Sequence, residues 1–310
     1  MKVFLISHIA DIDGLTPVVL SKLVFKDFDY KLLEISEVDS YMNEALDNNF
    51  FDEYDKVFMT DLCINEETAK RIDNLAFKDK FQVIDHHIGN LALNKYSFIK
   101  VVDEENGFKE SGTSLYYKYL LEHHPIKILA TEAVSYMVSL VRLGDTWEWV
   151  KYNKQEARYL STLLSYYGTE KYINNYFDFL LANETFFFTE SEKLLIEVDN
   201  RRMNDYIEIK KEQIIFEEIK GYKVGIVFAE LYRSELGNIL SKTYPDVDLI
   251  AIINMGRSIS YRTNRDDVSV NDFAMFFGGK GHQKAAGSPL PVRLKESIID
   301  YIFRRENNEY

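Results

Sequence analysis

Three apolar runs in this chain each end in side chains that can hold a divalent cation. Residues 2–7 lead into His8-Ile9-Ala10-Asp11-Ile12-Asp13-Gly14, residues 56–60 into Asp61, and residues 80–84 into Asp85-His86-His87. Asp11 and Asp13 are two apart, so on extended chain their carboxylates face the same way. A histidine with two carboxylates suits a hard divalent cation that also accepts imidazole. Adjacent residues of an extended chain point to opposite sides. His86 and His87 should therefore do different work, one toward a metal and one toward a substrate. Asp145 follows Gly144 at the end of an apolar helical pattern over 134–143 and reads as a further carboxylate of this set.

The elements that must position these residues alternate. Strand patterns at 2–7, 30–35, 56–60 and 80–84 are separated by helical patterns at 15–25, 37–48 and 66–77. Such alternation predicts an α/β fold with a parallel sheet and right-handed crossovers. Parallel strands end on one rim, where open α/β sheets place their sites. Pro17 reads as tolerable in a first helical turn. Ser111, Thr113 and Ser114 open a helix at 115–121 as caps or as hydroxyls near a phosphate.

After helices at 155–166 and 171–181, the charged stretch 183–211 predicts a helix joining two domains. Strands at 213–219, 223–229, 248–254 and 258–263, with a helix at 234–244, then predict a smaller mixed α/β domain. The domains are expected at 1–185 and 212–310, with the linker at 186–211. The second closes on Gly278-Gly279-Lys280-Gly281-His282-Gln283-Lys284-Ala285-Ala286-Gly287. Glycines at that density, beside His282 and Lys284, suit an anion cradle. Arg262 ends a strand and can grip a phosphate bidentately.

A net charge of -13 argues against long duplex DNA as a partner, because duplex binding rests on phosphate neutralisation by Lys and Arg. Short anionic substrates held through metal ions stay open. One cysteine, Cys63, allows no internal disulfide and points to the cytoplasm. No apolar run is long enough to span a bilayer, so no membrane partner is expected. Oligomeric state is left open, a homodimer included.

The set His8-x-x-Asp11-x-Asp13-Gly14, Asp61 with Asn65, Asp85-His86-His87 and Gly144-Asp145 resembles the four N-terminal motifs of DHH phosphoesterases. The loop 278–287 resembles the signature of the DHH-associated domain, departing from it at Lys280, where a third glycine is usual. The resemblance covers residues 1 to about 150 and about 212 to 290. It implies a binuclear site with two Mn2+, for which Mg2+ or Co2+ could substitute. His8, Asp11 and Asp61 would hold one ion; Asp13, Asp61, His86 and Asp145 would hold the other, with Asp61 bridging. His87 would meet the phosphoryl group, and Asp85 would orient a metal-binding imidazole. Arg262, Gly279, Gly281 and His282 would bind substrate. Within the family the architecture resembles the small nanoRNases, which shorten oligonucleotides from the 3′ end and also dephosphorylate pAp. Alternatives are a cyclic or linear dinucleotide phosphodiesterase, a pyrophosphatase and a non-catalytic nucleotide sensor.

Overall fold

The computed structural model describes residues 1–304, which divide into two compact units, 1–196 and 197 onward. In the first unit, five parallel strands are ordered β2-β1-β3-β4-β5: β1 (Lys2–His8), β2 (Asp27–Leu33), β3 (Lys56–Thr60), β4 (Phe81–Asp85) and β5 (Ile99–Val101). Between them run α1 (Ile12–Val24), α2 (Val38–Asp47) and α3 (Glu66–Asp73). A short hairpin, β6 (Glu104–Glu105) and β7 (Phe108–Lys109), precedes α4 (Gly112–His123), α5 (Glu132–Asp145), α6 (Glu156–Tyr167) and α7 (Thr169–Ala182).

The sheet is covered on both faces, and the strand sequences say why. Val3, Leu5, Phe58 and Ile84 feed a core shared with α1, α4, α5 and α7. Their neighbours Phe4, Ile6, Val57, Met59 and Val83 feed a second core with α2 and α3. Continuous apolar strands of this kind are what a doubly covered parallel sheet requires. The register pairs Ser7 with Thr60 and Thr60 with Ile84. His8, Asp61 and Asp85 thus fall on one row at the sheet's carboxyl edge.

The second unit carries a six-stranded mixed sheet ordered β12-β13-β11-β10-β9-β8. Its elements are β8 (Ile215–Ile219), β9 (Tyr222–Phe228), α9 (Arg233–Thr243), β10 (Leu249–Asn254), β11 (Ser258–Arg262), α10 (Val270–Met275), β12 (Lys280–Gly281), β13 (Ala285–Pro289) and α11 (Leu294–Phe303). The helix α8 (Glu190–Glu212) runs across the division between the units. It starts later than the helical pattern at 183 predicts. Residues 183–189 stay non-helical because Phe186 and Phe188 pack on the first core. The Ala133 amide donates to the Glu184 carbonyl at 2.9 Å, and the Phe186 amide to the Glu132 carboxylate at 2.7 Å. The sequence reading also missed β5, the β6–β7 and β12–β13 hairpins and α10, all short, and the longer α11.

The tightest backbone approach near the strand ends is at Gly14. A Cβ there would lie 2.1 Å from the His8 carbonyl oxygen. That absence of a side chain lets the first turn of α1 settle on the end of β1, where the Ser7 hydroxyl donates to the Gly14 carbonyl at 2.6 Å. Gly14→Ala is expected to destabilise the fold by about 1–3 kcal/mol through overpacking, read as a lowered denaturation midpoint at unchanged slope.

Candidate active site and metal centre

The site of the first unit is assembled by strand ends and three helix termini. Asp11 is the N-cap of α1 and accepts from the Gly14 amide at 3.0 Å. Its other oxygen lies 3.2 Å from His8 Nδ1. Asp61 follows β3 in the left-handed region, at φ 56°, and is almost fully buried. Asp and Asn tolerate that conformation better than other side chains, though at some cost. Its two oxygens face different imidazoles. Oδ2 is 3.4 Å from His8 Nδ1, and Oδ1 is 3.3 Å from His86 Nε2. His86 Nε2 also lies 3.7 Å from Asp13 and 3.5 Å from Asp145, the last residue of α5.

The N-terminus of α4 holds the innermost acid. The amides of Gly112 and Thr113 donate to the Asp13 carboxylate at 2.7 and 3.0 Å, using helix-end donors that have no partner in the helix itself. Ser111 and Ser114 form a reciprocal cap. This helix end therefore grips a protein carboxylate, not the phosphate considered from sequence. Gly112 is obligatory for the contact, since a Cβ would lie 2.7 Å from Asp61 Cβ. Pro17 sits in the second turn of α1, because the helix starts at Ile12. Its missing N–H frees the Asp13 carbonyl. The Thr113 hydroxyl fills that place at 2.8 Å.

Asp85 is fully buried and accepts from His87 Nδ1 and from the Asn90 amide, both at 2.7 Å. It orients His87, not the His86 expected to bind metal, and so corrects the sequence reading of its role. His87 itself is exposed at the rim.

Without a cation this cluster holds protons. Asp11 and Asp61 raise the His8 pKa to about 10. Burial opposes charge on His86, but Asp61, Asp13 and Asp145 outweigh it and hold its pKa at about 10. Burial together with the Asp61 and Asp145 carboxylates pushes Asp13 well up. Burial and nearby carboxylates push Asp145 up to about 6, against the pull of His86. Asp61 Oδ2 and His86 Nε2 are buried without any hydrogen-bond partner, a costly state for polar atoms. Ligand atoms of His8, Asp11 and Asp61 lie within 4.8 Å of one another, as do those of Asp13, His86 and Asp145. Mixed imidazole and carboxylate donors, orphaned buried atoms and mutually repelling acids all fit divalent cations.

The segment after Asp145 has an unusual backbone. Trp147 lies at φ 61°, just past the end of α5, where glycine is the residue free of strain. Its amide donates to the Gly144 carbonyl at 3.3 Å, and the Trp149 amide to the Leu143 carbonyl at 3.2 Å. Sequence reading did not single out this aromatic. The signal was an indole at the position after a helix end that carries a candidate ligand.

In the second unit, Arg262 is half-buried. Its guanidinium donates to the Tyr261 carbonyl at 2.9 Å and the Ser234 hydroxyl at 3.3 Å. Burial and the nearby Arg233 press its pKa down. Its stem crosses α9 at Gly237, where a Cβ would lie 2.5 Å from Arg262 Cγ. The glycine loop is a hairpin closed on itself. The Gly279 amide donates to the Ala274 carbonyl, the Gly281 amide to the Asn271 side chain, each at 2.9 Å, and the His282 amide to the Ala285 carbonyl at 2.8 Å. The expected amide cradle at Gly279 and Gly281 is corrected accordingly. Those glycines serve close strand approach, since a Cβ on Gly279 would lie 2.2 Å from the Gly287 carbonyl oxygen. Lys284 is tied to Asp266. The His282 side chain stays exposed.

Comparison with known proteins gives concordant matches. Residues 2–144 match the model of the DHH family, N-terminal domain. The chain is 33% identical over 302 residues to the oligoribonuclease NrnB of Bacillus subtilis, an alignment covering 95% of this chain and 74% of that one. Its fold is similar to a pGpG-specific phosphodiesterase, PggH of Vibrio cholerae, with a TM-score of 0.53 at 14% identity over 97% of this chain and 99% of the other. It is also similar to exonuclease RecJ bound to manganese, with a TM-score of 0.54 at 12% identity over 96% and 87%.

Cation binding should stabilise this protein. At a hundredfold excess over Kd, Mn2+ added to chelator-treated protein is expected to contribute about 2.7 kcal/mol, a rise of several degrees in Tm. Asp61→Asn should keep the fold and lose most of that rise; an unchanged rise would separate Asp61 from the cations.

Proposed function

The chain belongs to the DHH family of phosphoesterases, and on that premise we propose that it is a metal-dependent hydrolase of short oligonucleotides, cutting from the 3′ end and also acting on pAp. The observation that carries the reading is Asp61. One buried carboxylate, held in a strained backbone, turns its two oxygens toward two imidazoles that belong to separate ligand groups. We assign His8, Asp11 and Asp61 to one cation and Asp13, Asp61, His86 and Asp145 to the other, with Mn2+ as the resident metal and Mg2+ or Co2+ as substitutes. Two such cations would supply an ionised nucleophile near neutral pH and offset charge on the phosphoryl oxygens.

The chain's own residues do the rest. The two amides at the start of α4 fix Asp13, so its oxygens enter the site in one orientation. His87 carries its Nδ1 proton toward Asp85, which leaves Nε2 to meet a phosphoryl oxygen. The Asp85 carboxylate raises the His87 pKa and favours the protonated, hydrogen-bond-donating ring. A charged donor aimed at developing negative charge is an effective source of rate. In the second unit, Arg262 and His282 are the proposed contacts to a further phosphate of the substrate. The Arg262 guanidinium sits near Arg233, so a bound anion would relieve the repulsion between them. Among the described residues no helix is long and apolar enough to cross a membrane. A cytoplasmic setting, where short RNA fragments arise, suits this chemistry.

A hydrolysis panel with Mn2+ tests the reading. RNA of two to five nucleotides and pAp should be turned over faster than a cyclic dinucleotide or pyrophosphate; fastest turnover of pyrophosphate would overturn it. His282→Ala is expected to raise KM for the short RNA by about tenfold, the scale of one charge-assisted hydrogen bond. Manganese affinity, measured by calorimetry, should stay unchanged.

A further inference from the structure

We propose that Trp147 is the surface on which the substrate's nucleobase stacks beside the scissile phosphate, so that the site selects nucleotides over base-free phosphates. This rests on the oligonucleotide reading above and adds to it the residue that recognises the base.

Four observations converge on it. Trp147 follows Asp145 by two residues, so their Cα atoms lie within about 7 Å along the chain. Asp145 in turn lies 3.5 Å from His86. The backbone of Trp147 is thus tethered to the rim of the metal cluster. Its backbone at φ 61° is the second observation. A bulky residue kept where glycine is strain-free calls for a use of its side chain.

The third is that the indole is half-buried and not a member of the core of the first unit, whereas Trp149 packs against that core. The loop is shaped by other ties. Arg142 Nη1 bridges the Lys109 carbonyl and the Glu148 carboxylate, both at 2.7 Å. The Lys154 amide donates to the Trp149 carbonyl at 2.8 Å. The fourth is the ring arrangement. Trp149 meets Trp147 in a tilted, edge-on contact, with centroids 5.2 Å apart and planes at 66°. It steadies the indole without stacking flat on it.

An aromatic face next to a phosphate site is how sequence-tolerant proteins hold single-stranded nucleotides, since every base offers a π surface. Pyrophosphate and sugar phosphates offer none. Trp147 is accordingly a specificity residue; it takes no part in proton or phosphoryl transfer.

The chain contains two tryptophans, both in this loop, so indole fluorescence reads this loop alone. In Trp149→Phe protein with Mn2+, a two-nucleotide RNA phosphorothioate should quench Trp147 saturably, and its abasic counterpart should not. Trp147→Gly suits the backbone and should hold or raise Tm. It is expected to raise KM for two-nucleotide RNA about tenfold or more, with little change in kcat and none in turnover of the abasic counterpart. Trp147→Phe should restore most of the KM. Unchanged KM in Trp147→Gly, or turnover of RNA without any quenching, would overturn the stacking role while leaving the hydrolase reading intact. Wild-type protein that hydrolyses neither short RNA nor pAp would overturn both.

Discussion

Like charges packed into one buried corner are the constraint on which this structure turns. Asp13, Asp61 and Asp85 are almost completely buried, and Asp11 and Asp145 stand beside them. In a medium of low polarity such a group of carboxylates opposes folding unless opposite charge or protons enter with it. Without bound cations the corner favours protons on His8, His86 and Asp13. Metal binding must displace them, since imidazole and carboxylate coordinate in their proton-free forms. Occupancy, pH and fold stability are therefore linked through one set of side chains.

Much of the surrounding architecture keeps those acids in place. The parallel sheet aligns His8, Asp61 and Asp85 by register. The start of α4 then locks Asp13 from above, through two amides and a hydroxyl. Pro17 and Thr113 act together here: one withholds a helix donor, the other takes the carbonyl left open. Gly14 and Gly112 allow backbone to approach backbone where a methyl group would collide. Gly14, Gly112, Pro17 and Asp61 each depart from ordinary local preference at the site, as expected where function overrides it.

The sequence made the donors legible because they follow apolar strands of fixed period, and strands that alternate with helices end on a common rim. Asp61, Asp85, His86 and His87 could be read that way, and Asp145 from the helix end before it. What could not be read depends on partners distant in the chain. The grip of α4 on Asp13 joins residues about a hundred apart, and no local pattern marks it. Asp85 has an imidazole on each of the next two residues, and only the folded chain brings His87 Nδ1 to it. At the glycine loop composition was a poor guide, because glycine serves an anion contact and a close hairpin equally well. The later start of α8 was hidden by aromatic residues that fit a helical pattern and are held by tertiary contacts instead.

The hairpin around His282 has one more consequence. The amides of Gly279, Gly281 and His282 are taken up within this unit, by Ala274, Asn271 and Ala285, with no bound molecule needed. Such a loop behaves as a rigid mount with an interchangeable tip. A side chain exchanged at position 282 would leave those backbone bonds, and the fold around them, in place.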